Sequence, residues 1–173
     1  MTKRSLRLSL LMSSVLICCI DNSTASSLPQ NPKLSPKAPQ DRPTEARGKK
    51  EADEYRAAIA PYVAKGRQTY PEAKKRYLAG LPTGRTFFVV TNLRDKAGTT
   101  EQVFVAVTNV RDGRITGRIA TDNLTVIGYK KGDSYSFPEN DLIDWLITHP
   151  DGTEEGNVVG KFVDEWGKTR RRQ

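Results

Sequence analysis

Thiols and imidazoles are scarce in this chain. Its 173 residues include two cysteines, Cys18 and Cys19, and one histidine, His149. Both cysteines lie within the first twenty-five residues, so loss of that stretch leaves no sulfur for a disulfide, a zinc-thiolate site or a thiol nucleophile. A single histidine excludes H-E-x-x-H and every other multi-histidine metal site. No serine stands in a G-x-S-x-G nucleophile elbow. The longest apolar run, Leu8 to Ile20, falls short of the roughly twenty residues a membrane span needs. These absences predict no cofactor, no metal centre and no transmembrane segment in the mature chain.

What is present begins with the N-terminus. Lys3, Arg4 and Arg7 form a cationic start, Leu8 to Ile20 an apolar centre, and Ser23-Thr24-Ala25 a small-residue cleavage site. The stretch 1–25 reads as a signal peptide cut after Ala25, which predicts a periplasmic or secreted protein. A second reading stands beside it. Leu16-Ile17-Cys18-Cys19 resembles a lipobox, and cleavage before Cys19 would give a membrane-anchored lipoprotein, although Cys18 occupies a position usually held by Gly, Ala or Ser.

The formal charge of +8 is unevenly spread. Residues 1–84 carry fifteen Lys and Arg against seven Asp and Glu. Residues 85–166 carry nine against thirteen, and 167–173 four against none. The folded part is thus mildly acidic and the basicity sits in the flanks. Basic flanks favour weak contact with anionic surfaces. Nucleic acid is not an expected partner: Arg114 and Arg118 share a strand face with no interleaved aromatic residue.

Residues 26–50 hold five prolines and almost no large apolar side chain, a composition of disordered, extended linkers. Helical periodicity follows: Ala52, Tyr55, Ala58, Ile59, Tyr62 and Val63 share one helix face. Pro61 is expected to kink this helix and Gly66 to stop it, with a second short helix from Pro71 to about Ala79. From Arg85 the period changes to two. Strands are expected at Thr86–Leu93, Glu101–Val110, Ile115–Ile119, Thr125–Tyr129, Ser134–Phe137, Ile143–Thr148 and Asn157–Asp164, with an Asp112-Gly113 hairpin turn. Glu101–Val110 is apolar on both faces and should be central. The pattern predicts an α+β domain over 51–166: one or two N-terminal helices on a curved, mainly antiparallel sheet of about five to seven strands. Residues 167–173 form a basic tail.

Several of these segments together resemble a known family. Ala57-Ala58-Ile59, Glu101-Gln102-Val103-Phe104-Val105, Gly113-Arg114-Ile115-Thr116-Gly117, Lys131-Gly132-Asp133, Ile143-Asp144-Trp145 and Gly160-Lys161-Phe162 are similar to the bacterial domain of unknown function 2314, the YegJ-like family. The resemblance covers 51 to about 163. The chain departs from it at Gln102 and Phe104, where similar proteins often have His and Trp, and at Thr121-Asp122-Asn123. The family implies an α+β fold and supplies no catalytic residue.

Candidate ligand contacts are Asp144, Trp145 and Glu101. Trp145 offers an indole platform for a ring or sugar, or else a core anchor in a row with Ile143 and Ile147. Asp144 could serve as an acid or base, or satisfy backbone donors at a turn. Glu101 opens an otherwise buried strand, where Arg94 or Arg118 would be its cross-strand partner. His149, before Pro150-Asp151-Gly152, reads as a turn-flanking residue. Two functions follow: a non-catalytic accessory or binding module of the cell envelope, taking an unknown protein or envelope polymer, or a small envelope hydrolase using carboxylates near Asp144. A concave pocket shared by Asp144 and Glu101 would favour the enzyme.

Overall fold

The computed structural model describes residues 49–122 and 124–170. The signal, both cysteines, Ala25 and nearly all of the linker lie outside the described residues. Two helices, α1 (Lys49–Leu78) and α2 (Val158–Arg170), flank six strands: β1 (Thr86–Arg94), β2 (Thr100–Arg111), β3 (Arg114–Ile119), β4 (Ser134–Pro138), β5 (Leu142–Thr148) and β6 (Glu154–Gly156). The strands form one open sheet in the order β4-β3-β2-β1-β5-β6, antiparallel at every pairing. This is the expected α+β architecture.

The curvature follows from chain length. A flat sheet would set β4 and β5 about 19 Å apart, four strand spacings. The four residue steps from Pro138 to Leu142, through a short 3-10 turn at Glu139–Asp141, reach at most about 14 Å. The sheet must therefore curl to bring its β4 edge toward β5.

Strands β1 and β2 alternate between two cores, as their two-sided apolar pattern required. Phe87, Val89, Val103, Val105 and Val107 face one cluster; Phe88, Val90, Phe104 and Ala106 face the other. Helix α1 serves both. Its first half gives Ile59, Tyr55, Tyr62 and Val63 to the second cluster, and its second half gives Tyr70, Ala73 and Tyr77 to the first.

The helix crosses between faces at the edge of β5. Strand β6 pairs only with Leu146–Thr148, and α1 covers the rest of that edge. Arg67 Nε donates to the Leu142 carbonyl at 2.7 Å. Gly66 is buried where its backbone meets β5: a Cβ there would lie 2.7 Å from Asp144 Oδ1 and 3.2 Å from the Ile143 carbonyl oxygen.

Gly66 is thus a contact point and not a helix stop, and the two expected helices are one. Pro61 and Pro71 both fall inside α1. Each removes a backbone donor, but both prolines, and Ala57 and Arg67 whose carbonyls lose that donor, are exposed. Burial of Ile59, Tyr70 and Ala73 holds the helix through the gaps. In a free helix Gly→Ala gains about 0.5–1 kcal/mol. Here the clash is expected to win, so that Gly66→Ala lowers stability by about 1–3 kcal/mol in urea unfolding. A stabilised variant would refute the close approach.

Two expected strands are absent. Asn157–Asp164 is not a strand but the start of α2. Its valines suggested β structure, yet Val159, Phe162, Val163 and Trp166 lie at helical spacing and Val159, Phe162 and Val163 pack on the second cluster. Asn157, at φ 54°, turns the chain, and its carbonyl accepts the first helical bond from Lys161 N–H. Thr125–Tyr129 is a loop, because side-chain carboxylates take the backbone donors a strand would have used.

Candidate functional site

Asp144 and Trp145 leave β5 on opposite faces. Regular alternation against Val90 and Val89 puts Asp144 on the α2 side and Trp145 in the other core. The register irregularity that follows, where Thr91 opposes Leu142, turns Ile143 to the side of Asp144, so that Ile147 but not Ile143 shares the row of Trp145. Asp144 is fully buried. Its Oδ1 accepts the Trp145 amide at 2.8 Å and its Oδ2 accepts the Val159 amide of the first turn of α2 at 2.7 Å. Burial pushes the carboxyl up to about 6, against the opposing pull of those amides and of Lys161. The carboxylate therefore ties β5 to the N-terminus of α2 beneath Gly66 of α1.

Trp145 is 7 % exposed. Its ring meets Phe87 at 6.5 Å, its Nε1 donates to Thr69 Oγ1 at 2.9 Å, and the Arg76 guanidinium lies 5.9 Å from its centroid. The indole is the core anchor of the two readings, not an open platform.

Glu101 faces the other way. It opposes Leu93 of β1 in the register, on the face opposite Asp144. Its partner is not a cross-strand arginine. Oε2 accepts the Thr125 amide at 2.7 Å and the Thr125 hydroxyl at 2.8 Å. Asp144 and Glu101 are thus separated by the sheet and share no pocket.

His149 sits where the turn reading put it, at the end of β5. Its Nε2 lies 2.9 Å from Glu155 Oε1, while Glu155 Oε2 accepts from Arg76 at 2.7 Å. Burial raises the Glu155 carboxyl, but these partners outweigh it and hold the group below its ordinary value. The cluster clamps β6 to α1. Among the described residues, no group of three or more His, Cys, Asp or Glu is placed to hold a metal ion.

The concave surface lies elsewhere. Asp95 follows β1 and turns its carboxylate onto two segments. Oδ1 accepts the Thr99 amide at 2.9 Å, closing the β1–β2 turn. Oδ2 accepts the Ile127 amide at 3.1 Å, from the loop between β3 and β4. That Ile127 bond is the chief reason the Asp95 carboxyl is held below the ordinary range. With Glu101 holding Thr125, two carboxylates fix this loop. Between turn and loop runs a groove of about 640 Å³ lined by Arg94, Lys96, Ala97, Ile127 and Tyr129. Ile127 stands 78 % exposed.

A family model described as "Uncharacterized protein conserved in bacteria (DUF2314)" matches residues 66–173. The chain belongs to the DUF2314 family. The match begins at Gly66, at the contact with Asp144, and takes in the whole sheet and α2; the first half of α1 precedes it. No curated protein and no solved structure matches the chain.

Sequence reasoning named Asp144, Trp145 and Glu101 and missed Asp95 and Ile127. Asp95 carried a signal, an acid just before a Lys-Ala-Gly-Thr turn, where an Asx-type bond to the backbone is common. Ile127 carried none, because a lone isoleucine beside valine reads as strand.

Proposed function

We propose that this DUF2314 member is an exported cell-envelope protein and that its α+β domain is a non-catalytic accessory or binding module. The observation that carries the second part is the burial of Asp144: no part of its side chain reaches solvent, and both oxygens are committed to amides. A hydrolase built on Asp144 would have to open α1 and α2 to admit substrate. Glu101, the other candidate acid, lies across the sheet and holds a loop. Export is supported by the cationic, apolar and small-residue order of residues 1–25. Among the described residues, no helix is long and apolar enough to cross a membrane.

Mass spectrometry of the chain purified from an exporting bacterium tests the location. The expected mass is that of a chain starting at Ser26, with no cysteine. A diacylated chain starting at Cys19 would place the module on a membrane. An intact Met1 terminus would overturn export.

A further inference from the structure

The groove at the β1–β2 turn sets exposed cations beside Ile127, the more exposed of the two large aliphatic side chains that stand out from the described surface. Arg94 and Lys96 on its wall, and Lys130 beside Tyr129, are exposed and make no ion pair among the described residues. The one carboxylate in the wall, Asp95, is turned to the amides of Thr99 and Ile127 and forms no ion pair with these cations, which leaves the wall with a net positive charge. Ile127 projects at the apex of a turn completed by Gly128 at φ +90°. A single exposed aliphatic side chain is ordinary at a protein surface, so what distinguishes Ile127 is how its loop is held. Here two buried or part-buried carboxylates are spent on holding it in place.

We propose that this groove binds a peptide segment of a partner protein that carries carboxylates beside an apolar side chain. The proposal rests on the binding-module reading and names its partner class. Charge complementarity selects the acidic partner: Arg94 and Lys96 in the wall, and Lys130 next to it in sequence, make no ion pair among the described residues, and acidic residues supply one. Shape selects a peptide over a lipid surface. A cleft between a turn and a loop, with Ala97 and Tyr129 in its wall, has room for a short peptide segment, whereas a bilayer calls for several apolar side chains projecting together. The chain's own flanks are unsuited, since residues 1–48 and 171–173 are both basic in balance. Glu101 and Asp95 are positioning residues, acting through the loop they hold.

Phage-displayed random heptapeptides selected on the full chain test this. Enriched peptides are expected to place Asp or Glu beside Leu, Ile or Phe. A synthetic copy of the most enriched one should bind about tenfold more weakly to Arg94→Glu/Lys96→Glu and to Ile127→Asp. Both variants change exposed side chains, so circular dichroism and the melting temperature should match the parent. Glu101→Gln should weaken binding while leaving the sheet intact, a loss that loop positioning explains. Peptides that bind all variants equally, or lack acidic enrichment, overturn the groove assignment and leave the binding-module reading standing. Sedimentation with phosphatidylglycerol vesicles that depends on Ile127, without acidic peptide enrichment, overturns it in favour of a membrane surface. An unprocessed N-terminus instead overturns export and leaves the groove untouched.

Discussion

Replacing Trp145 with alanine is expected to remove about 3–5 kcal/mol of stability, the cost of emptying a large core site. Three contacts vanish together: the ring against Phe87, the Nε1 bond to Thr69 and the face beneath Arg76. The site is also poorly able to collapse. Gly156 of β6, at φ +77°, sits so close that a Cβ there would lie 2.9 Å from Trp145 Cε3. Backbone pairing on both sides of β5 fixes that wall, so the cavity stays open. Urea unfolding of the variant measures the effect. A loss below about 1 kcal/mol would mean the indole is not the anchor and would return it to the surface platform.

The second large effect depends on pH. Asp144 ordinarily titrates at 3.8 and in the folded protein at about 6. The folded state holds a proton that the unfolded chain releases between those values. The contribution of this group to stability is therefore full below about pH 4 and is lost as pH rises through 6. The gap corresponds to about 3 kcal/mol. Asp95 and Glu155, held below their ordinary values, act in the opposite sense, losing stability as pH falls. Comparing the parent with Asp144→Asn removes their shared part. The parent's stability minus the variant's should fall by about 2 kcal/mol from pH 4 to pH 7. A pH-independent difference would show that the two amides fully offset burial.

Much of the fold was legible because two-sided strands announce themselves. Val103, Val105 and Val107 alternating with Phe104 and Ala106 required a strand covered on both faces, and β2 is one. The breaks were less legible. Pro61, Gly66 and Pro71 are ordinary kink, stop and start signals, and each was overridden by packing that no local rule contains. Asn157–Asp164 shows the opposite error, in which β-branched residues were weighed above the spacing of Val159, Phe162, Val163 and Trp166. At the candidate site, Asp144 and Trp145 stood out for chemistry, and the fold places both in the interior. A carboxylate's backbone partners, fifteen residues away in sequence for Val159 and thirty-two for Ile127, are set by tertiary structure alone.

One helix lies in both cores. Because α1 contributes Ile59 to one face of the sheet and Tyr70 and Ala73 to the other, neither face can lose its packing without loosening the same rod. The two cores are therefore thermodynamically coupled. The sheet opens as a single cooperative unit, and the slowest-exchanging amides of β1 and β2 share one opening free energy.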